Sequence, residues 1–138
     1  MTAAVGSPFL YGPKVYHDYL STHPSMPDGV GVKTHMPASR PNLLVLISTA
    51  PAPSTDKPRF FAWRRLVFQC WGPDELSAAA LCDQIRQLVV GSIYAHLGVR
   101  QVRVIGEPAR FDDPSNAGPG ESVWRFQTTI DVLFRAKF

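Results

Sequence analysis

The sequence predicts an α+β fold: a largely antiparallel, mixed β-sheet of about four to five strands, one long helix packed on it, a short N-terminal helix and a long β-hairpin near the C-terminus. Three observations carry this prediction. Period-two alternation occurs on both sides of a single long stretch of helical periodicity. That stretch opens on a strong helix-start signal, Trp71-Gly72-Pro73-Asp74-Glu75. The alternation from Ser122 to Phe134 is nearly unbroken.

The elements follow in order. Gly12-Pro13 leads into a short helix from Lys14 to Thr22, with Val15, Tyr16, Tyr19 and Leu20 on one face and Pro24 and Pro27 as stops. Asp28-Gly29 is a turn pair, after which Val30 to His35 alternates as a first strand. Asn42 to Ser48 is apolar on both faces, which predicts an interior strand covered on both sides. Thr49 to Pro58 holds three prolines and cannot enter a sheet interior. Phe60 to Trp71 is a long strand whose residues Leu66, Phe68 and Cys70 form a core face. Its other face, Phe61, Trp63, Arg65, Val67, Gln69 and Trp71, mixes large aromatics with polar groups and suits a second contact, either a packed helix or another subunit.

At Gly72-Pro73-Asp74-Glu75, proline at the first helical position and two first-turn carboxylates match the positive end of a helix dipole. The inward stripe reads Leu81, Ile85, Leu88 and Val89, extended by Ile93, and Ala78 to Ala80 permit close approach to the sheet. With Gly98 as its stop, this helix is expected to run for about 24 residues, weakened locally at Gly91. Val99 to Ile105 is a strand, and Glu107 to Glu121 a loop rich in turn formers. From Ser122 to Phe134 one face reads Trp124, Phe126, Thr128, Ile130, Val132 and Phe134, and only Leu133 interrupts the polar row opposite. A single domain from residue 13 to 138, preceded by an extension over 1–12, accounts for the chain.

Composition narrows the function classes. The 138 residues include 14 Lys and Arg, 11 Asp and Glu, and eight Phe, four Tyr and three Trp. An average domain of this length would carry about nine more charged residues. A small folded chain with so few charges is suited to a surface covered by partners. Most of the bases are Arg, the residue favoured at protein interfaces and at phosphates. No apolar run approaches the roughly 18 residues that a membrane span needs. The uncharged start, Met1 to Gly12, lacks the basic region of a secretory signal. Cys70 and Cys82 fall in strand and helix interiors, which favours buried thiols over a disulfide.

Chemistry-bearing constellations are sparse. His17, His23, His35 and His96 lack zinc-ligand spacing. His17-Asp18 are helix neighbours whose side chains are expected to diverge on a solvated face. Asp112-Asp113 before Pro114 reads as a turn rather than a cation site. No catalytic motif is present. A basic, aromatic sheet face built from Trp63, Arg64, Arg65, Arg100, Arg103, Arg125 and Arg135 admits nucleic-acid binding. The simpler reading is that Arg stems cover a half-exposed face, with heads in solvent or paired with Asp131 and Glu107.

Several strings occur in a telling order: Pro37-Ala38-Ser39-Arg40-Pro41 before a strand, Arg64-Arg65-Leu66-Val67-Phe68-Gln69-Cys70-Trp71 running into Gly72-Pro73-Asp74-Glu75, and Ala78-Ala79-Ala80-Leu81 in the long helix. Val99 to Val104, Asp113-Pro114 and Trp124-Arg125-Phe126-Gln127-Thr128-Thr129 continue the series. In order and spacing these strings resemble the tail terminator (tail completion) proteins of long, non-contractile-tailed phages, especially the actinobacteriophage type. The resemblance runs from about Pro13 to the C-terminus; the extension over 1–12 and the Pro-rich Thr49 to Pro58 depart from it.

The resemblance implies a structural virion protein, not an enzyme. It implies a homo-oligomeric ring, usually a hexamer, that caps the head-proximal end of the tail tube and stops polymerisation. The expected partners are the major tail tube protein and the head-tail connector (stopper), with genomic DNA passing through the channel unread. No cofactor, metal or membrane is implied. The expected location is the head-tail junction of the virion, after assembly in the host cytoplasm. Another head-tail joining protein, a stopper or adaptor, is the nearest alternative, and a nucleic-acid-binding module the alternative from another class. A closed ring needs two different complementary surfaces on each subunit. The candidate contact residues are Phe9 and Tyr11 in the extension, Arg40 before the interior strand, Phe61, Trp63, Arg65 and Trp71 on the outer strand face, Asp112 and Asp113 in the long loop, and Arg125 and Arg135 on the last strand.

Overall fold

A computed structural model describes residues 7–111 and 124–137. The order is α1 (Gly12–Ser21), β1 (Val30–Lys33), β2 (Leu43–Ala50), β3 (Phe61–Trp71), α2 (Glu75–Val90), β4 (Val99–Arg110) and β5 (Arg125–Arg135). The strands form one mixed sheet in the order β1-β2-β3-β5-β4. Only β1 and β2 are parallel, and β4 and β5 pair antiparallel as the long C-terminal hairpin. The fold is the α+β arrangement that the sequence predicts.

Both helices lie on one face. Tyr16 and Leu20 of α1, and Leu81, Cys82, Ile85, Leu88 and Val89 of α2, share a buried core with Val45, Ile47, Leu66, Phe68, Cys70, Ile130, Val132 and Phe134. Tyr16 sits at its centre, edge-on to Phe68 at 6.0 Å and to Phe134 at 6.5 Å. Its hydroxyl and Ser92 Oγ are 2.7 Å apart, and Ser92 Oγ donates to Val89 O. Because the serine proton is used there, Tyr16 is the donor of the pair. Burial pushes the Tyr16 hydroxyl well above its ordinary value of 10.0. Cys70 and Cys82 are free, buried thiols, and burial together with the neighbouring Cys82 raises Cys70 well above its ordinary value.

The long helix differs from the expectation at both ends. Its N-cap is Asp74, whose carboxylate accepts from Ser77 N at 2.7 Å, so Pro73 precedes the helix and only Glu75 lies in the first turn. It ends at Val90, well short of the expected 24 residues, and passes into a 3-10 turn over Gly91–Tyr94. The reason is local. Gly91 is a weak helix former, and the Ser92 hydroxyl occupies the Val89 carbonyl that a continuing α-helix would offer to the N–H of residue 93. Ile93 therefore leaves the inward stripe and is exposed, as is Ala80. Gly98, at φ +77°, turns the chain into β4 rather than stopping the helix.

β1 is shorter than expected, ending at Lys33, and α1 starts two residues earlier, at Gly12. β2 extends to Ala50, into the expected Pro-rich loop. β4 runs on to Arg110, through residues expected to be loop, because bulges keep it in register with β5. The Thr128 hydroxyl donates to Gly106 O across one of them, at 2.7 Å. β5 is described from Arg125, and its expected start at Ser122 lies outside the described residues.

Candidate interaction face

Alternation along β3 and β5 sends Leu66, Phe68, Ile130 and Val132 to the helices, so their neighbours emerge on the opposite side of the sheet. No helix of the described residues packs there. The ladder pairs Trp63 with Leu133, Arg65 with Asp131, Val67 with Thr129, Gln69 with Gln127 and Trp71 with Arg125. β2 adds Leu46 opposite Gln69 and Ser48 opposite Val67, and β4 adds Arg103 opposite Asp131. Leu133, the single break in the polar row of β5, is the cross-strand partner of Trp63.

The middle of this open face is held by an ion pair. Arg65 Nε and Nη2 donate to the two oxygens of Asp131 at 2.8 and 3.0 Å. The Asp131 side chain is 1% exposed and that of Arg65 26% exposed. A bidentate pair of this kind satisfies the carboxylate while the guanidinium keeps a route to water. Beside it the Arg103 guanidinium lies 4.8 Å from the centre of the Trp63 ring. A substitution Arg65→Glu, which on sequence grounds reads as a probe of a contact surface, would set a second carboxylate against buried Asp131. It is therefore a folding mutation.

At the other end of the face, Arg40 and Arg125 lie 5.5 and 5.7 Å from the Trp71 ring. Arg125 also donates to Phe111 O at 2.7 Å. Parallel β1 and β2 require a crossover, and the one between them passes over this side of the sheet. A Cβ on Gly31 would stand 2.7 Å from Pro41 Cγ, so only glycine allows that approach. The crossover covers Leu44, at 0% exposed, and Trp71, at 2%. Two expectations change here. β2, expected to be covered on both sides, is so only at its start, where the crossover covers Leu44; further along the open face Leu46 is half-buried and Ser48 exposed. Trp71 is a packed residue rather than a contact residue, and its buried Nε1 has no hydrogen-bond partner among the described residues.

The remaining candidates separate into groups. Phe9, Tyr11, Phe61, Trp63 and Arg65 converge with Pro51 and Pro53 on a cleft of about 980 Å³, where the N-terminal segment and the Pro-rich loop meet the start of β3. Trp63 N donates to Thr55 Oγ1 at 2.8 Å, so the loop takes over the hydrogen bonding that β2, ending at Ala50, no longer supplies. Phe9 also lies under the Arg64 guanidinium at 5.5 Å, and Pro8 O accepts from Lys137 N at 2.7 Å, which fixes this part of the extension to the body. Arg135 stands apart in a groove of about 710 Å³ that it shares with Tyr11, Lys14 and Tyr19. Asp112 and Asp113 lie outside the described residues.

His17 and Asp18 do not diverge: His17 Nδ1 and Asp18 Oδ1 are 3.0 Å apart, and Lys14 Nζ holds the other oxygen at 2.9 Å. The cluster is solvated, and its bonds from His17 and then Lys14 hold the Asp18 carboxyl below its ordinary value. Arg65 pairs with Asp131, as the reading of Arg stems over a half-exposed face expects, whereas Glu107 pairs at 2.7 and 3.0 Å with Arg86 of α2 rather than with an arginine of the sheet face. Base stacking needs open ring faces. Here Arg103 lies over Trp63, and Trp71 is buried.

Sequence reasoning missed the outer side of α2. Leu76, Ala80, Asp83, Gln87 and Val90, spaced alternately by four and three, are all exposed, and Tyr94 follows four residues later. Leu76 and Tyr94 are 82% and 84% exposed. A signal existed: Gln87 to Gly98 contains no charge, yet only Leu88, Val89 and Ser92 of that stretch are buried, while Val90, Ile93 and Tyr94 face solvent.

Among the described residues, no helix is long and apolar enough to cross a membrane. Comparison of the chain with protein-family models finds no matching family, and comparison with curated proteins finds no match.

Proposed function

We propose that the chain is a structural, ring-forming protein of the tail terminator kind. Copies close into a ring, hexameric on the resemblance, that caps the head-proximal end of a phage tail tube and halts its growth. The ring offers its other side to the head connector, and the genome passes through its channel without being read. The chain then belongs to the virion, at the junction of head and tail, after assembly in the host cytoplasm. No covalent step or cofactor is part of this reading.

The observation that carries it is the one-sided sheet. Helices cover one face, while the other presents Leu46, Phe61, Trp63, Val67, Thr129 and Leu133, all half-buried, as a low surface of apolar groups set among cationic side chains. Such a face gains from burial at about 25 cal/mol per Å² once a partner covers it. A ring member also needs a second, different surface, and the outer side of α2 and the cleft beside Phe9 and Trp63 are available to supply it. The ordered strings of the sequence supply the rest of the support.

Purified chain added to polymerising tail tube protein tests the proposal. Tubes of arrested length, with a ring on one end in negative-stain images, are expected. Tubes that grow as long as those without the chain, with bare ends, would contradict it.

A further inference from the structure

We infer that copies join head to tail, with the open sheet face of one copy seated on the outer side of α2 of the next. This rests on the ring reading above and names the surface through which the ring closes.

Charge decides the occupant. Among the described residues the middle of the open face carries Lys33, Arg65 and Arg103 against the carboxylate of Asp131, which Arg65 already grips. A second sheet face laid on it would bring these cations together, which costs binding. The outer layer of the molecule has the opposite balance. Around α2 stand Asp74, Glu75, Asp83 and Glu107 against Arg86 and Arg110, and Arg86 and Arg110 are already drawn onto Glu107 and Glu75. Asp83 lies midway along the exposed stripe, with Leu76 at one end and Val90 and Tyr94 at the other. An acidic centre between apolar ends complements a sheet face whose guanidiniums are interleaved with Trp63, Val67 and Leu133.

Dimensions agree. The 16 residues of α2 span about 24 Å. Five strands at about 4.8 Å spacing make a platform about 19 Å wide. A helix packed on a sheet is also how this chain covers its other face. The two surfaces lie on opposite sides of one molecule, so the contact is heterologous and propagates from copy to copy until rotation closes it.

The test uses the full chain and two variants in sedimentation velocity. The helix-side variant carries Asp83→Lys with Gln87→Lys, and the sheet-side variant Lys33→Glu with Arg103→Glu. Should Arg103→Glu disturb Asp131 and broaden the thermal transition, Lys33→Glu with Ser48→Glu replaces it. Each variant alone is expected to self-associate at least tenfold more weakly than the unaltered chain. An equimolar mixture is expected to recover assembly, because the basic helix side of one variant meets the acidified sheet of the other, while the remaining faces are native.

A mixture that stays dissociated, or a variant that assembles like the unaltered chain, overturns the inference. So does displacement of the contact by a single-stranded oligonucleotide, which would assign the sheet face to nucleic acid. Rings that both variants still form reject this contact and leave the tail-cap reading standing. An unaltered chain that neither assembles nor arrests tube growth rejects both.

Discussion

The two faces of the sheet use the same residue types to different ends. Toward the helices, aromatic rings meet other rings edge-on, as Tyr16 does with Phe68 and Phe134, and the surroundings are aliphatic side chains and thiols. Away from them, each tryptophan meets guanidinium groups: Trp63 that of Arg103, Trp71 those of Arg40 and Arg125. The first arrangement is stable because it is dry. The second holds its cations close to apolar surface before any partner arrives, with Arg40 and Arg125 half-buried and Arg103 exposed, which lowers the cost of covering the half-buried two. The difference separates what holds the domain together from what it offers to others.

The contrast breaks most completely on the helix side. Phe68→Ala empties the ring packed against Tyr16 in the core and is expected to cost about 4 kcal/mol, read in urea unfolding. On the open face the largest loss belongs to Asp131→Asn, which removes the charge from the carboxylate that Arg65 grips and is expected to cost about 2 kcal/mol in the same assay. Tyr16→Phe keeps the ring packing and loses one buried hydrogen bond, about 1 kcal/mol.

Tyr16 also sets an alkaline limit. Its folded-state value is raised, so its contribution is complete below about pH 10, where the unfolded hydroxyl begins to ionise, and is lost as pH climbs toward the folded value. The thermal midpoint of the unaltered chain should fall more steeply above pH 10 than that of Tyr16→Phe.

Trp63→Ala sharpens the comparison from the other direction. Trp63 is half-exposed, so its loss should leave urea unfolding within about 1 kcal/mol of the unaltered chain while reducing assembly. The smallest effect is expected at the Asp74 cap. Bonds from Ser77, the backbone one foremost, hold its carboxyl below the ordinary 3.8. The cap's stabilisation is therefore present above that value and lost as pH falls through the lower folded one. Asp74→Ala should lower the thermal midpoint slightly at neutral pH, and the gap should close in acid.

Much of this architecture is legible in the residues. The period of two from Ser122 to Phe134 names both faces of β5, and the stripe Leu81, Ile85, Leu88 and Val89 names the inner face of α2, because burial on one side imposes those periods. Boundaries were less legible wherever a side chain competes with the backbone. Asp74, expected inside the first turn behind Pro73, is itself the cap, and Ser92 bonds Val89 O where the pattern continues the helix.

The candidate site was legible in part. Phe61, Trp63 and Arg65 share a face by alternation alone, which a strand guarantees. That Phe9 and Tyr11 join them at one cleft depends on where the N-terminal segment returns in space, which no local pattern encodes. The burial of Trp71 depends likewise on a crossover nine residues long folding over the sheet. The Val90 and Tyr94 end of the exposed stripe of α2 was hidden because the charge-free segment it lies in reads as core on average.

The central claim is that the open sheet face and the outer side of α2 are assembly surfaces. Hydroxyl-radical footprinting of the full chain, free and assembled on tail tubes, tests it most directly. Trp63, Leu76 and Tyr94 are expected to be labelled in the free chain and protected in the assembled one. Labelling of all three unchanged by assembly would contradict it.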